Sequence, residues 1–137
     1  MGFEVFIYFC DKTRTNGVRR DSVRSLFPVI EDKSEPDYWL VQYDDRNSCN
    51  IGVTPHESDS QMIVGLFVIR PCADIRLWQG MLKVLQLGDI TLFWPGGPPI
   101  IANEATATRL PDGMAEDIGE PRTVHSAEEI LSLLRAT

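Results

Sequence analysis

Tyr38–Tyr43, YWLVQY, is followed by Asp44–Ser48, DDRNS, and then by Cys49–Thr54, CNIGVT. The two apolar runs alternate and are rich in aromatic and β-branched residues, the pattern of strands with one buried face. The Asp and Asn residues between them suit a turn, because their side chains bond back to the local backbone. Together the three segments read as a hairpin. A second polar turn, Pro55–Gln61, leads into Met62–Arg70, MIVGLFVIR, the most hydrophobic strand of the chain. Three strands joined by short turns make an antiparallel meander, and the last of them belongs at the sheet centre.

Outward from the meander, Gly2–Cys10, GFEVFIYFC, is apolar on both faces and reads as another central strand. Val18–Phe27 brings Val18, Ser22 or Val23, Leu26 and Phe27 together at helical spacing and turns Arg19, Arg20 and Arg24 outward, with Pro28 as its stop or the start of its exit. Glu31–Asp37, EDKSEPD, reads as a polar loop. Asp74 suits the N-cap of a helix over Ile75–Leu87, whose broad apolar stripe fits a helix laid across a sheet, and Gly88 suits its C-terminal stop. Ile90–Trp94 is a strand. Asn103 is placed to cap a short helix over Glu104–Leu110. Pro111–Ile118 reads as a further short helix ended by Gly119, and Pro121–Val124 as a short strand. Ser126 and Glu129 have capping-box spacing before a final helix to about Arg135. The order β-α-β-β-β-α-β, with a helical tail, predicts one α+β domain over 1–137: a mainly antiparallel sheet, helices on one face, and a ferredoxin-like element order.

Length and composition fit that picture. A chain of 137 residues, 43% hydrophobic and 24% charged, can bury a core without metals or disulfides. It has no apolar run near the ~20 residues of a membrane span. MGFEVFIYFC has neither the basic lead nor the small-residue cleavage site of a signal peptide, and Phe6 stands where a myristoylation signal wants Ser or Thr. The cytoplasm is the expected location. The three cysteines, Cys10, Cys49 and Cys72, are widely spaced and sit in or beside apolar segments, so they read as small buried hydrophobes. The net charge is −7, and residues 31–60 carry eight acids against two bases. Nucleic-acid binding needs a basic face, so this balance argues against it. An acidic surface is instead complementary to a basic protein.

The motifs with chemical potential are few. TLFWPGGPPII, residues 91–101, places two glycines and three prolines on one corner. A phosphate loop would need G-x-x-x-x-G-K-[ST]; here Pro98 and Pro99 remove the backbone donors, and no Lys or Ser follows. The corner therefore reads as a stiff change of direction that fixes Trp94 and Ile100. His56, Glu57 and Asp59 are neighbours in one polar turn and form the one local triplet with metal or acid–base potential. No nucleophile elbow, H-E-x-x-H or EF-hand spacing occurs. Glu31, Asp32, Glu35 and Asp37 precede the first meander strand, and Asp44 and Asp45 follow it, so about 20 Å of strand separates the two groups. Unless the loop folds back, that excludes one tight metal cage, and it fits a docking rim with Tyr38, Trp39 and Tyr43 as anchors.

The segments NSCNIGVTP, RPCADIRLWQGMLKVL and LFWPGGPPIIANEA, with LPDGM and IGEP after them, resemble a group of small uncharacterised bacterial proteins of similar length. In size, acidity and lack of catalytic motif the chain is also similar to the immunity proteins of bacterial toxin–immunity pairs. That likeness implies a protein that binds a cognate toxin and blocks its active site or substrate channel; it carries over no functional residue. The expectation is a non-enzymatic protein-binding module, an immunity or inhibitor protein with no cofactor, metal or catalytic residue. Its contacts with a basic toxin domain fall to Glu35, Asp37, Tyr38, Asp44, Asp45, Arg46, Glu57, Asp59 and Trp94. The alternative is a small enzyme or ligand-binding protein with a pocket at His56, and a self-associating structural protein is a third possibility.

Overall fold

In a computed structural model, residues 4–10, 17–34, 37–72 and 74–136 are described. The meander forms where alternation places it. Strands β1 (Val5–Phe9), β2 (Val18–Arg19), β3 (Val29–Ser34), β4 (Asp37–Gln42), β5 (Ser48–Pro55), β6 (Met62–Val68), β7 (Ile90–Phe93), β8 (Ile100–Ile101) and β9 (Arg122–Thr123) build one sheet. Its order is β3-β4-β5-β6-β1-β7-β8-β9, with β2 paired to β6. The described strand pairs are antiparallel except β8 with β9, so the α+β class and the mainly antiparallel sheet hold. The hydrophobic strand β6 is central, as its composition predicts, with β5 on one edge and β1 and β2 on the other.

Two element assignments are corrected. Val18 and Arg19 are not the first turn of a helix. They pair with Ile63 and Met62, extending the line of β1 along β6, and only Arg20–Arg24 is helical (α1). Glu31–Asp37 is not simply a loop: Val29–Ser34 pairs with β4 as the edge strand β3, with a register shift between Val29 and Glu31. Its polar composition reflects exposure along almost its whole length. With β2 and β3 added, the chain does not reproduce the element order expected of a ferredoxin-like fold.

The antiparallel register sorts side chains by face. Val5, Ile7, Val41, Cys49, Ile51, Val53, Leu66, Val68 and Leu92 point inward with the fully buried Trp39. Helix α2 (Ile75–Leu85) covers this face with Leu77, Trp78, Met81, Val84 and Leu85, and α4 (Ala127–Arg135) adds Ala127 and Ile130 to the same core. Both helices begin as their caps predict. Asp74 accepts from the Arg76 backbone at 2.8 Å, and Ser126 Oγ accepts from the Glu129 backbone at 3.2 Å while a Glu129 carboxylate oxygen accepts from the His125 backbone. Asn103 does not cap the 3₁₀ helix Glu104–Arg109. Its side-chain amide donates to the Gly88 carbonyl at 3.1 Å, tying the tail to the end of α2. The tail, with α3 (Met114–Ile118) closed by Gly119, reaches the opposite face, where Leu110 packs on Cys10 and Ile101.

The Pro–Gly corner is part of this architecture. Gly96 has φ +88°, a left-handed conformation other residues disfavour. The Gly97 backbone N–H donates to the Trp94 carbonyl at 3.1 Å, and a side chain at Gly97 would overlap the Trp94 indole. The corner folds the chain from β7 back into β8 and seals Trp94 inside.

Candidate functional site

The expected contact residues divide between the two ends of β5, whose eight residues span about 26 Å. At one end lie Asp37 and the 55–61 turn; at the other, the 43–47 turn. Glu35 lies outside the described residues.

At the first end, Asp37 is held inside the protein. Arg20 donates two hydrogen bonds to its carboxylate, at 2.9 and 2.7 Å, and a third from Nε to the Ser60 carbonyl. This bidentate pair is largely buried and docks α1 on β4 and on the 55–61 turn. Glu57 and Asp59 are exposed, and Asp59 accepts from the Gln61 backbone at 2.9 Å. His56 Nδ1 accepts from the Ser58 backbone at 3.0 Å. These are local turn bonds, and among the described residues no group of three His, Cys, Asp or Glu side chains is placed to hold a metal ion.

At the second end, Asp44 organises its own turn. Its Oδ1 accepts from the backbones of Arg46 and Asn47, at 2.9 and 3.0 Å, and from the Asn47 amide. Arg76 then bridges Asp44 at 2.7 Å and Asp74 at 2.5 Å, with its guanidinium 5.2 Å from the centre of the Tyr43 ring. The backbone N–H of Arg46, helped by Asn47, holds the Asp44 carboxyl below its usual range, and the Arg76 hydrogen bond does the same for Asp74. Asp44 therefore ties the hairpin to the start of α2. Asp45 and Arg46 remain exposed, with no side-chain bond among the described residues. Tyr43 and Cys49 face inward beside Cys72. Burial raises the Tyr43 phenol and pushes the Cys49 thiol up to about 12, with Cys72 adding to both. Trp94 is corrected as a contact residue: at 3% exposure it belongs to the core.

Tyr38 alone of the expected aromatics faces outward, and it leads to a feature that alternation does not announce. Register aligns Lys33, Tyr38, Gly52, Phe67, Phe6 and Phe93 in one row across five adjacent strands and their edge neighbour, on the face opposite α2. The Phe67 ring lies over Gly52, where any Cβ would overlap it. Phe6 stacks on Phe93 at 5.3 Å. Beside this row opens a cleft of about 430 Å³, bordered by Asp37, Tyr38, Cys49, Asn50, Gly52, Phe67, Ile69 and Arg70. Phe67 and Ile69 are 36% and 54% exposed. His56, Glu57 and Asp59 do not border it. The signals available in the sequence were the glycine in CNIGVT and the outward phase of Phe67, and neither locates a cleft alone.

No protein-family model, curated protein or solved structure matches the chain. Among the described residues, no helix is long and apolar enough to cross a membrane.

Proposed function

We propose that the chain is a non-enzymatic protein-binding module, an immunity or inhibitor protein that neutralises a basic toxin domain in the bacterial cytoplasm. The observation that carries this is the acidic edge of the sheet. Strand β3 is terminal in the strand order, so among the described residues one row of its backbone donors and acceptors has no neighbouring strand. It is exposed and carries Glu31, which forms no ion pair among the described residues. Asp45, Glu57 and Asp59 are exposed carboxylates at the two ends of the adjoining strands and also form no ion pair among the described residues. An open edge can take an extended partner segment through main-chain hydrogen bonds. Acidic side chains on it repel a second copy of the same edge and favour a basic segment. Asp37 and Asp44 act behind this surface by fixing its turns, whereas Trp94 lies in the core beyond β7, away from this edge.

The test is capture of partners from lysate of the native source at low and high salt, followed by expression of the captured protein with and without this chain. The expected result is a basic protein released by salt that arrests growth alone and is harmless when the two are co-expressed. Retention of no basic protein at either salt, or toxicity that co-expression leaves unchanged, overturns the proposal.

A further inference from the structure

We propose that the cleft on the open face of the sheet is a binding site for a small amphiphile bearing an aromatic or branched apolar body and one carboxylate. It is distinct from the acidic edge. A volume of about 430 Å³ lies within the range of small-ligand pockets, which pair apolar walls with a few placed polar groups. Here the apolar part is made by Phe67, laid flat by the missing side chain at Gly52, together with Tyr38 and Ile69. A ring inserted on this floor meets aromatic faces, where offset stacking adds to simple burial.

The polar groups select the charge. The Asn50 amide and the Arg70 guanidinium form no hydrogen bond or ion pair among the described residues. By contrast Arg20, Arg24, Arg76 and Arg109 each pair with an aspartate. The one carboxylate bordering the cleft, Asp37, is already held by two hydrogen bonds from Arg20. The cleft therefore presents a cation without a counter-charge beside an apolar floor. A guanidinium fork matches a carboxylate, and Asn50 can donate to the same group.

The test titrates the isotope-labelled full chain with 3-phenylpropanoate, 3-phenylpropan-1-ol and 3-phenylpropylamine, followed by NMR. The expected result for the acid is saturable shifts at Asn50, Gly52, Phe67 and Ile69, with a dissociation constant on the order of 1 mM, as the size of the probe allows. The alcohol binds about tenfold more weakly, the loss of one charge-assisted hydrogen-bonded pair, and the amine more weakly still. Arg70→Gln, at an exposed side chain, brings the acid to the level of the alcohol and leaves the alcohol unchanged. Phe67→Ala removes binding of both. Absence of saturable shifts, equal binding of acid, alcohol and amine, or an Arg70→Gln variant that keeps the preference for the acid overturns the proposal.

Discussion

Trp94 shows how a residue that looks like a surface anchor becomes a core element. The apolar run Ile90–Phe93 ends at it, and a tryptophan beside prolines and glycines suits an exposed loop. Gly97 reverses that, because its lack of a side chain leaves room for the indole to lie against the corner. Trp94→Ala empties that space, and the corner cannot collapse into it while Pro95, Pro98 and Pro99 fix its backbone. The expected cost is about 3–5 kcal/mol, measured by urea unfolding. A cost under about 1 kcal/mol would mean that the corner is soft. Cys49 gives a second residue-scale prediction, in alkali. Its thiol keeps its proton in the fold up to about 12, whereas the unfolded chain loses it near the ordinary 9.0. Above the ordinary value the unfolded state holds fewer protons than the native state, so stability falls as pH rises. The contribution is complete below about pH 8, and about 1 kcal/mol of it is lost by about pH 10. Tyr43, raised in the same direction by burial, adds its own loss above 10.0. Cys49→Ala should show the smaller drop in denaturant midpoint between the two pH values; an equal drop in both proteins would assign the alkaline loss elsewhere.

Elements whose signal is a repeated contact with the core are readable from sequence, and those that sit at the rim are not. The strands β4, β5 and β6 alternate because one face meets α2. Helix α2 shows its apolar stripe for the same reason, and Asp74 marks its start through a bond that depends only on local geometry. Asp74→Ala removes that bond and the Arg76–Asp74 ion pair, leaving Arg76 on Asp44 of the 43–47 turn. A loss of about 1 kcal/mol is expected from the cap. Ser126→Ala should cost a similar amount at α4, and because the two caps share no partner the double variant should be additive within about 0.5 kcal/mol, as read from urea midpoints. The edge strand β3 is hidden because Glu31, Asp32, Lys33 and Ser34 are all exposed, which leaves no alternation to detect. β2 is hidden because two residues carry no period. The cleft is hidden for a different reason: it arises from three strands in register over a glycine, and sequence gives the phase of each strand but not the alignment between them.

At the scale of the molecule, charge and fold are separable. The net charge of −7 sits mainly in residues 31–60, with eight acids against two bases, and in the C-terminal tail, while the core that holds the sheet to α2 and α4 is apolar. The ion pairs that serve the architecture, Arg20 with Asp37 and Arg76 with Asp44 and Asp74, use acids other than Glu31 of the edge strand and Asp45, Glu57 and Asp59 of the turns. Replacing Glu31, Asp45, Glu57 and Asp59 by Lys adds eight charges and turns −7 into +1 without touching those pairs. The thermal midpoint should therefore move by only a few degrees, since exposed charges contribute about 0.5 kcal/mol or less each. Association with the captured basic partner should behave differently. A complementary field raises the rate of encounter, and reversing it lowers that rate by roughly 10- to 100-fold at low salt, an effect that shrinks as ionic strength rises. Stopped-flow binding at two salt concentrations separates the terms. A slower association that converges with wild type at high salt places the four carboxylates in steering, whereas a faster dissociation that persists at high salt places them in the interface itself. Unchanged rates in both conditions would move the partner to another face of the sheet.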